Sequence, residues 1–221
     1  MSALAGGVAV TGPPGGLAGR VRDEFARRGV PLESREGAPV AEVVVHCAGP
    51  EALADTLRRS AFVVLPSLVG CDVIPSPAHT AARVMEEMLA AAARPGVVVR
   101  ATETHDRIWE MFERRSRSPL VVVPHGVRYQ PVDPAAVAAL IADAAEGLTG
   151  QRCEVGGRYA YEAAGIARSV MAAIGRVRPL VRLNAPGIRG AAYRAGANLT
   201  PHRDETGATW NEFVSGREAP T

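Results

Sequence analysis

Residues 8–20, VAVTGPPGGLAGR, decide the fold, because a short apolar strand runs into a glycine turn that opens a helix. The spacing Gly12-x-x-Gly15-x-x-Ala18 is that of a nucleotide-binding turn. Gly12 permits a tight turn, Gly15 lets a phosphate approach the backbone, and Ala18 is small enough for the helix to pack on the strand. The start of the helix offers N–H groups and a partial positive charge to a diphosphate.

Two prolines interrupt this turn. Pro13 and Pro14 have no backbone N–H, so two of the donors that a phosphate would use are missing. The amides of Gly15, Gly16 and Leu17 remain as cofactor-binding candidates. The turn therefore predicts a phosphate-binding site with fewer backbone N–H donors than usual. A glycine-rich turn that binds no ligand stays as the alternative.

Outward from the turn, strands and helices alternate through about residue 105. Residues 41–49 (AEVVVHCAG), 61–70 (AFVVLPSLVG) and 95–102 (PGVVVRAT) are apolar runs typical of buried parallel strands, with helical patterns between them. The alternation predicts an α/β fold, a Rossmann-like parallel sheet with helices on both faces. We expect residues 1–106 to form the Rossmann-like region and residues 107–221 a small mixed carboxyl-terminal lobe packed on it without a clear linker.

Composition limits the function classes. The chain has 221 residues, of which 47% are hydrophobic, and a net charge of +2 with acids and bases intermixed. No basic block, apolar membrane span or signal peptide is apparent, so we expect a cytoplasmic protein whose partner is a small-molecule substrate rather than nucleic acid or a membrane. The three cysteines are widely spaced, without a CxxC motif or a metal-binding HxxxH helix, so neither a disulfide framework nor a metal site is predicted.

Polar side chains follow the predicted strands, at the edge where parallel sheets bind ligands. Ser67 is a candidate to hydrogen-bond a substrate carbonyl, with a turn cap as its alternative, and Cys47 and Thr102 are candidate substrate contacts. His105 faces the same predicted crevice and is a candidate acid/base. Beyond the weak strand predicted at residues 30–36, Arg35 suits a 2′-phosphate and favours NADP(H), although a solvated charged loop remains open.

Six stretches together resemble a known family: VAVTGPPGGLAGR, VVVHCAG, FVVLPSLVGCDVIPSP, VVVRATETHD, VRYQPVD, and YRAGANLTP followed by TWNEFV. Their order is similar to that in NmrA-like, atypical short-chain dehydrogenase/reductase proteins of actinobacteria. The match spans nearly the whole chain and is most specific over 62–133. The resemblance implies a Rossmann sheet, an NAD(P)-binding amino half, a carboxyl-terminal substrate lobe, and a monomer or homodimer. It also places Tyr129 in the turn that closes the substrate pocket.

The sequence departs from this family in three places. Residues 33–47 leave no room for the strand and Asp-Leu turn that hold the adenine, so the adenine side is shortened. The positions of the family's Tyr-x-x-x-Lys pair match Ala78 and Ala82. Pro13 and Pro14 stand where the family prefers Ala-Thr. All three departures weaken the prediction of redox chemistry.

One register beyond the two alanines, His79 and Arg83 repeat the i, i+4 spacing that places two side chains on one helix face. A histidine there can exchange a proton near neutral pH, while a polar helix start facing solvent is the alternative. We therefore take Ser67, His79 and His105 as the candidate catalytic residues.

The functional prediction is a degenerate short-chain dehydrogenase/reductase-like protein repurposed as a non-redox enzyme of secondary metabolism. Its reaction would be of the cyclase, dehydratase or isomerase type, with acid/base chemistry at the strand ends and NADP(H) binding weak or lost. Two alternatives stay open: an NADP(H)-dependent oxidoreductase acting on a small carbonyl or enone, and a non-catalytic NAD(P)-sensing protein.

Overall fold

The computed structural model describes residues 7–33, 42–150 and 152–217. In chain order the elements are β1 (Val8–Thr11), α1 (Gly16–Arg27), β2 (Val43–His46), α2 (Pro50–Arg59), β3 (Phe62–Leu68), α3 (Pro77–Ala91), β4 (Gly96–Ala101), α4 (His105–Arg115) and β5 (Val121–Pro124). They continue with β6 (Arg128–Tyr129), α5 (Pro134–Ala145), β7 (Arg152–Val155), β8 (Tyr161–Glu162), α6 (Ala163–Ala173), β9 (Leu180–Leu183), α7 (Gly187–Arg194) and α8 (Trp210–Ser215).

The main sheet has five strands in the order β1-β2-β3-β4-β7. The first four strands pair in parallel, with Val8 opposite Val43, and Val63 opposite Gly96. The apolar runs therefore form the predicted strands, and the predicted α/β, Rossmann-like fold is confirmed. The weak strand predicted at residues 30–36 contributes one isolated bridge, between Leu32 and Val8, and its residues from Ser34 onward lie outside the described chain.

Helices cover both faces of this sheet. The side chains of Val63 and Leu65 pack on one face against Leu53 of α2 and Leu89 of α3. The intervening Val64 is fully buried on the opposite face, where α1 packs against α5. Alternate strand residues thus fill two separate layers, as expected for a parallel sheet between helices.

The chain divides into two compact units. The first, here the sheet unit, comprises the described parts of Met1–Asp72, Pro77–Ala101 and Pro134–Glu154. The second, here the aromatic unit, comprises Val73–Ser76, Thr102–Asp133 and the described part of Val155–Thr221. The stretch Pro134–Glu154, which the sequence analysis assigns to the carboxyl-terminal lobe, instead supplies α5 and most of β7 to the sheet unit.

The aromatic unit has a core of its own. Phe112 and Trp109 of α4 are buried together with Ile166 of α6 and Trp210 of α8. Two small sheets accompany these helices, a parallel pair of β5 with β9 and an antiparallel pair of β6 with β8. A reciprocal capping box between Thr209 and Glu212 starts α8.

Across the described residues, no helix combines the length and apolar character needed to cross a membrane.

Candidate functional site

The glycine turn connects β1 to α1 in the sheet unit. Gly12 has a φ of +101°, and a Cβ built on it would lie 2.7 Å from the carbonyl oxygen of Cys47. Only glycine accepts both the backbone conformation and this close approach of two strand ends. Gly15 is the N-cap of α1, and no side chain caps the helix start. A Cβ added to Gly15 or Gly16 would meet nothing within 4 Å, so the turn faces open space.

Arg22 holds the turn from its other side. Its guanidinium donates hydrogen bonds to the carbonyl oxygens of Val10 (2.9 Å), Gly12 (3.0 Å) and Pro13 (3.0 Å). These bonds fix the turn and place a positive charge behind it. Sequence reasoning missed Arg22, because one arginine two turns into an amphipathic helix belongs to no motif spacing.

A cavity of about 330 Å³ lies in front of the turn, and we call it the glycine-turn cavity. The turn, the ends of β2 and β3 and one side of α3 line it: Pro13, Gly15, Gly16, Leu17, Ala18, His46, Cys47, Ala48, Pro66, Ser67, Leu68, Ala78, Ala81, Ala82 and Met85. The structure therefore brings five predicted site residues together: Gly15, Gly16, Leu17, Cys47 and Ser67. Ala78 and Ala82, at the positions where the sequence resemblance would place a tyrosine and a lysine, line the same cavity.

Cys47 and His46 form the end of β2 in this cavity. Burial raises the pKa of the Cys47 thiol to about 12, although the nearby charge of Arg22 opposes the shift. Cys47 is therefore a neutral thiol at physiological pH, suited to contact but not to nucleophilic attack. His46 is buried, with Nε2 3.1 Å from the carbonyl oxygen of Gly49 and Nδ1 3.2 Å from Thr11 Oγ1. Because a carbonyl only accepts, Nε2 carries the proton, and His46 acts as a structural link.

Ser67 donates its hydroxyl hydrogen to Glu86 Oε1 at 2.5 Å. The same carboxylate accepts from Arg100, through Nε and Nη2, both at 2.8 Å. Burial raises the pKa of Glu86, but hydrogen bonds from Arg100, Ser67 and Cys71 outweigh it and leave that pKa below its ordinary value. Ser67 thus lies between the cavity and the buried ion pair of Glu86 with Arg100, and its hydroxyl hydrogen is already used in the hydrogen bond to Glu86.

His79 is buried rather than facing solvent, so the solvent-exposed alternative is wrong. Burial lowers the pKa of its imidazole, and a hydrogen bond with the backbone of Val69 partly opposes the shift. Arg83 is half exposed and lies 3.6 Å from Glu87, so the two side chains of the i, i+4 pair have different surroundings. His79 is not among the described residues that line the glycine-turn cavity.

The remaining candidates lie in the aromatic unit. Thr102 donates to the carbonyl oxygen of Gln130 at 2.5 Å and is buried. His105 Nε2 lies 3.2 Å from the carbonyl oxygen of Pro131, and its ring packs 4.9 Å from that of Phe213. Burial lowers the pKa of His105, with Asp133 the strongest opposing charge. Both side chains serve the core of the unit, and the N-cap of α4 is Thr104.

Tyr129 lines a second cavity, within the aromatic unit, of about 480 Å³, which we call the arginine cavity. Its lining combines an apolar wall with two arginines and two tyrosines: Ser76, Met111, Arg115, Val122, Val123, Pro124, Val127, Tyr129, Leu183, Asn184, Ala185, Pro186, Arg189, Gly190 and Tyr193. Burial raises the pKa of both Tyr129 and Tyr193. Sequence reasoning missed Arg115, Arg189 and Tyr193, which come from helices far apart in the chain.

Two further points concern predicted cofactors. Arg35, the candidate for a 2′-phosphate, lies outside the described residues. In the part of the chain that the structure describes, no group of three or more His, Cys, Asp or Glu side chains is arranged to hold a metal ion.

Known proteins resemble this chain in structure. No protein-family model matches the sequence, and no curated protein matches it. Among solved structures, an NADPH-dependent quinone oxidoreductase of Escherichia coli, in complex with NADPH, aligns with a TM-score of 0.70 and 14% identity over 95% of this chain and 99% of its own. A UDP-glucose 4-epimerase of Thermus thermophilus, in complex with NAD, aligns with a TM-score of 0.66 and 14% identity over 97% and 99% of the two chains.

A third structure, an NAD-dependent NDP-hexosamine 5,6-dehydratase involved in tunicamycin biosynthesis, aligns with a TM-score of 0.63 and 14% identity over 95% of each chain. At these identities the similarity shows a shared fold. The three proteins carry out a reduction, an epimerisation and a dehydration, so the fold leaves the reaction open.

Proposed function

We propose that this chain is an NAD(P)-binding protein of the atypical, NmrA-like short-chain dehydrogenase/reductase type that has lost tyrosine–lysine hydride chemistry. The observation that carries the proposal is the glycine-turn cavity, which joins an uncapped helix start to an α3 face bearing Ala78 and Ala82. In this account a dinucleotide is held there for non-redox acid/base chemistry on a small molecule, in the cytoplasm.

The residues present fit a diphosphate. The first amides of an α-helix have no acceptor within the helix, and they carry the positive end of its dipole. Gly15 and Gly16 line the glycine-turn cavity, and there is open space where their Cβ atoms would lie. Arg22 donates hydrogen bonds to the carbonyl oxygens on the other side of the turn. Arg22 thus positions the turn for an anion without occupying the cavity. A bound nicotinamide cofactor would supply a hydride donor or acceptor.

The cavity supports binding better than it supports reduction. Reduction of a carbonyl needs a hydride on carbon and a proton on oxygen, and the alanines at positions 78 and 82 supply neither a phenol nor an ammonium group. Of the three candidate catalytic residues, Ser67 alone is among the described lining residues, and it donates to Glu86. Ser67 can still accept a hydrogen bond, which suits orientation of a substrate hydroxyl.

A second candidate function is NADPH-dependent reduction of a quinone, a small carbonyl or an enone. The similarity to the Escherichia coli quinone oxidoreductase over 95% of this chain favours it. A quinone takes up a hydride with its carbonyl oxygens already conjugated, so solvent can deliver the proton without a dedicated tyrosine.

The test is a fluorescence titration of the full-length protein with NADPH and NADH. We expect micromolar binding of at least one cofactor and a loss of about ten-fold or more in Gly15→Asp, because a carboxylate then repels the diphosphate at the helix start. Gly165→Asp is the matched control, since Gly165 is an exposed helical glycine of the aromatic unit with open space around it.

The same protein is then mixed with NADPH and a quinone or enone, and the loss of NADPH absorbance is followed. Binding without NADPH oxidation supports the first proposal, whereas cofactor-dependent oxidation supports the second. No binding of either cofactor at millimolar concentration would reject both.

A further inference from the structure

We propose that the arginine cavity is a binding site for a small apolar molecule with one oxyanion head group, a carboxylate or a phosphate, and that Arg115 is its principal ligand. This site lies within the aromatic unit. It uses none of the residues assigned to the dinucleotide, so the inference stands apart from the proposed function.

Arg115 carries the inference. Its Nη1 is buried and has no hydrogen-bond partner among the described residues. The guanidinium lies 5.0 Å from the centre of the Phe112 ring, and its positive charge lowers the pKa of the Tyr129 hydroxyl against the larger effect of burial. A buried charged N–H without an acceptor is costly, so an acceptor supplied by a ligand would remove that cost. An oxyanion suits a guanidinium best, because two of its oxygens can accept in parallel.

Arg158 Nε is also buried without a hydrogen-bond partner, but the Arg158 guanidinium forms an ion pair with Glu205. Arg100 has two hydrogen bonds with Glu86, and Arg28 pairs with Glu24 and Asp143. Within the described residues, Arg115 forms no ion pair with a carboxylate. This contrast separates Arg115 from the arginines that serve the fold.

The surroundings of Arg115 add positive charge and hydrogen-bonding groups. Arg189 lines the same cavity, and both arginines act electrostatically on the hydroxyls of Tyr129 and Tyr193. One acid, Glu103, also acts on these two hydroxyls, but burial raises the pKa of its carboxyl. Two arginines therefore line the cavity, and none of its described lining residues is an acid.

The rest of the arginine cavity indicates which kind of ligand the site would bind. Its wall is formed largely by apolar side chains, among them Met111, Val123, Val127 and Leu183. Its volume of about 480 Å³ is that of a site for a small organic ligand. An inorganic anion alone would leave these apolar side chains exposed to water. An aromatic or alkyl acid would cover them and also reach Arg115.

Calorimetric titration of the full-length protein with benzoate, phenyl phosphate and benzamide tests the site. We expect one of the two anions to bind, and the neutral amide of similar shape to bind about ten-fold more weakly or worse, because it forms no charge-assisted bond. The tighter of the two anions identifies the head group. Equal binding of benzamide, or no binding of either anion at millimolar concentration, would overturn the proposal.

Variants assign the effect to Arg115. Arg115→Met should weaken the bound anion about ten-fold or more, and Arg114→Met, which removes an exposed arginine one position earlier, should leave it unchanged. If Arg115→Met lowers the melting temperature, the exposed rim residue Leu183 provides a second pair. Leu183→Glu should weaken anion binding relative to Leu183→Gln, which has the same shape without charge. Unchanged anion affinity in Leu183→Glu, or in a folded Arg115→Met, would reject the assignment.

The two proposals fail separately. Gly15→Asp alters the sheet unit and should leave the affinity for the anion unchanged. Arg115→Met should leave NADPH affinity unchanged.

Discussion

Replacing Glu86 by glutamine tests the buried ion pair beneath the glycine-turn cavity. The Glu86 carboxylate is 14% exposed and Arg100 is 7% exposed, with two hydrogen bonds of 2.8 Å between them. Glutamine keeps one acceptor oxygen for Ser67 but turns an NH₂ group towards the guanidinium. Glu86→Gln therefore removes at least one charge-assisted hydrogen bond and leaves the buried charge of Arg100 without its partner.

We expect Glu86→Gln to lower the free energy of unfolding by about 3–5 kcal/mol, as found when one partner of a buried ion pair is removed. A full domain is stable by only about 5–15 kcal/mol, so the loss should be plain in urea unfolding followed by circular dichroism. Asp72→Asn is the control. Asp72 is 58% exposed at 3.5 Å from Arg100, so its loss should cost less than about 1 kcal/mol.

A double-mutant cycle makes the reasoning refutable. Glu86→Met with Arg100→Met removes both charges, so the double variant should be more stable than Glu86→Met alone, with a coupling of about 2 kcal/mol or more. Additive losses, or a cost below about 1 kcal/mol for Glu86→Gln, would show that the pair does not hold this site together.

The Glu86–Arg100 ion pair should make the stability of the protein decrease at acidic pH. The pKa of Glu86 in the folded protein lies below its ordinary value of 4.5, so the ion pair stabilises the fold above that pH. This contribution is lost as the pH falls from 4.5 through the lower pKa of the folded state. The wild-type protein should therefore lose more stability over this range than Glu86→Gln does.

Burial lowers the pKa of His79 and His105 below 6.5, so the free energy of unfolding should fall as the pH drops below that value. His79→Gln should flatten this pH dependence in chemical unfolding measured from pH 7 to pH 5. An unchanged slope in this variant would contradict the prediction. Gly12→Ala should cost about 2 kcal/mol or more in urea unfolding, because φ is +101° and the new Cβ meets a backbone oxygen, and a neutral effect would show that the turn adapts. Arg22→Met should weaken NADPH binding about ten-fold by freeing three turn carbonyls, whereas Arg20→Met, on the exposed side of α1, should not; equal affinities in a fluorescence titration would reject the positioning role.

Strands β1 to β4 could be predicted because each lies in an apolar run flanked by glycine or proline. The run around Val63 and the run around Val98 carry the signal in their own residues. The place of β7 beside β4 could not be predicted, since Arg152–Val155 is short and carries two charged residues. Such pairing depends on the whole fold rather than on local pattern.

The candidate site was predictable where backbone geometry decides it. Gly12 and Gly15 are needed by a turn whose spacing is visible in the sequence. The roles of individual side chains were harder to predict from the sequence, because a histidine is equally suited to catalysis and to a buried hydrogen bond. Only the structure shows that His105 packs on aromatic rings and that the hydroxyl of Ser67 is bonded to Glu86. Arg115 gave no sequence signal at all, since the groups around it come from distant parts of the chain.

A crystal structure of the protein grown with NADPH tests the central claim most directly. We predict electron density for the diphosphate within hydrogen-bond distance of the amides of Gly16 and Leu17, with the nicotinamide directed towards Ala78 and Ala82. Density for the cofactor at any other surface, with the helix start of α1 bound only to solvent at saturating cofactor, would contradict the account.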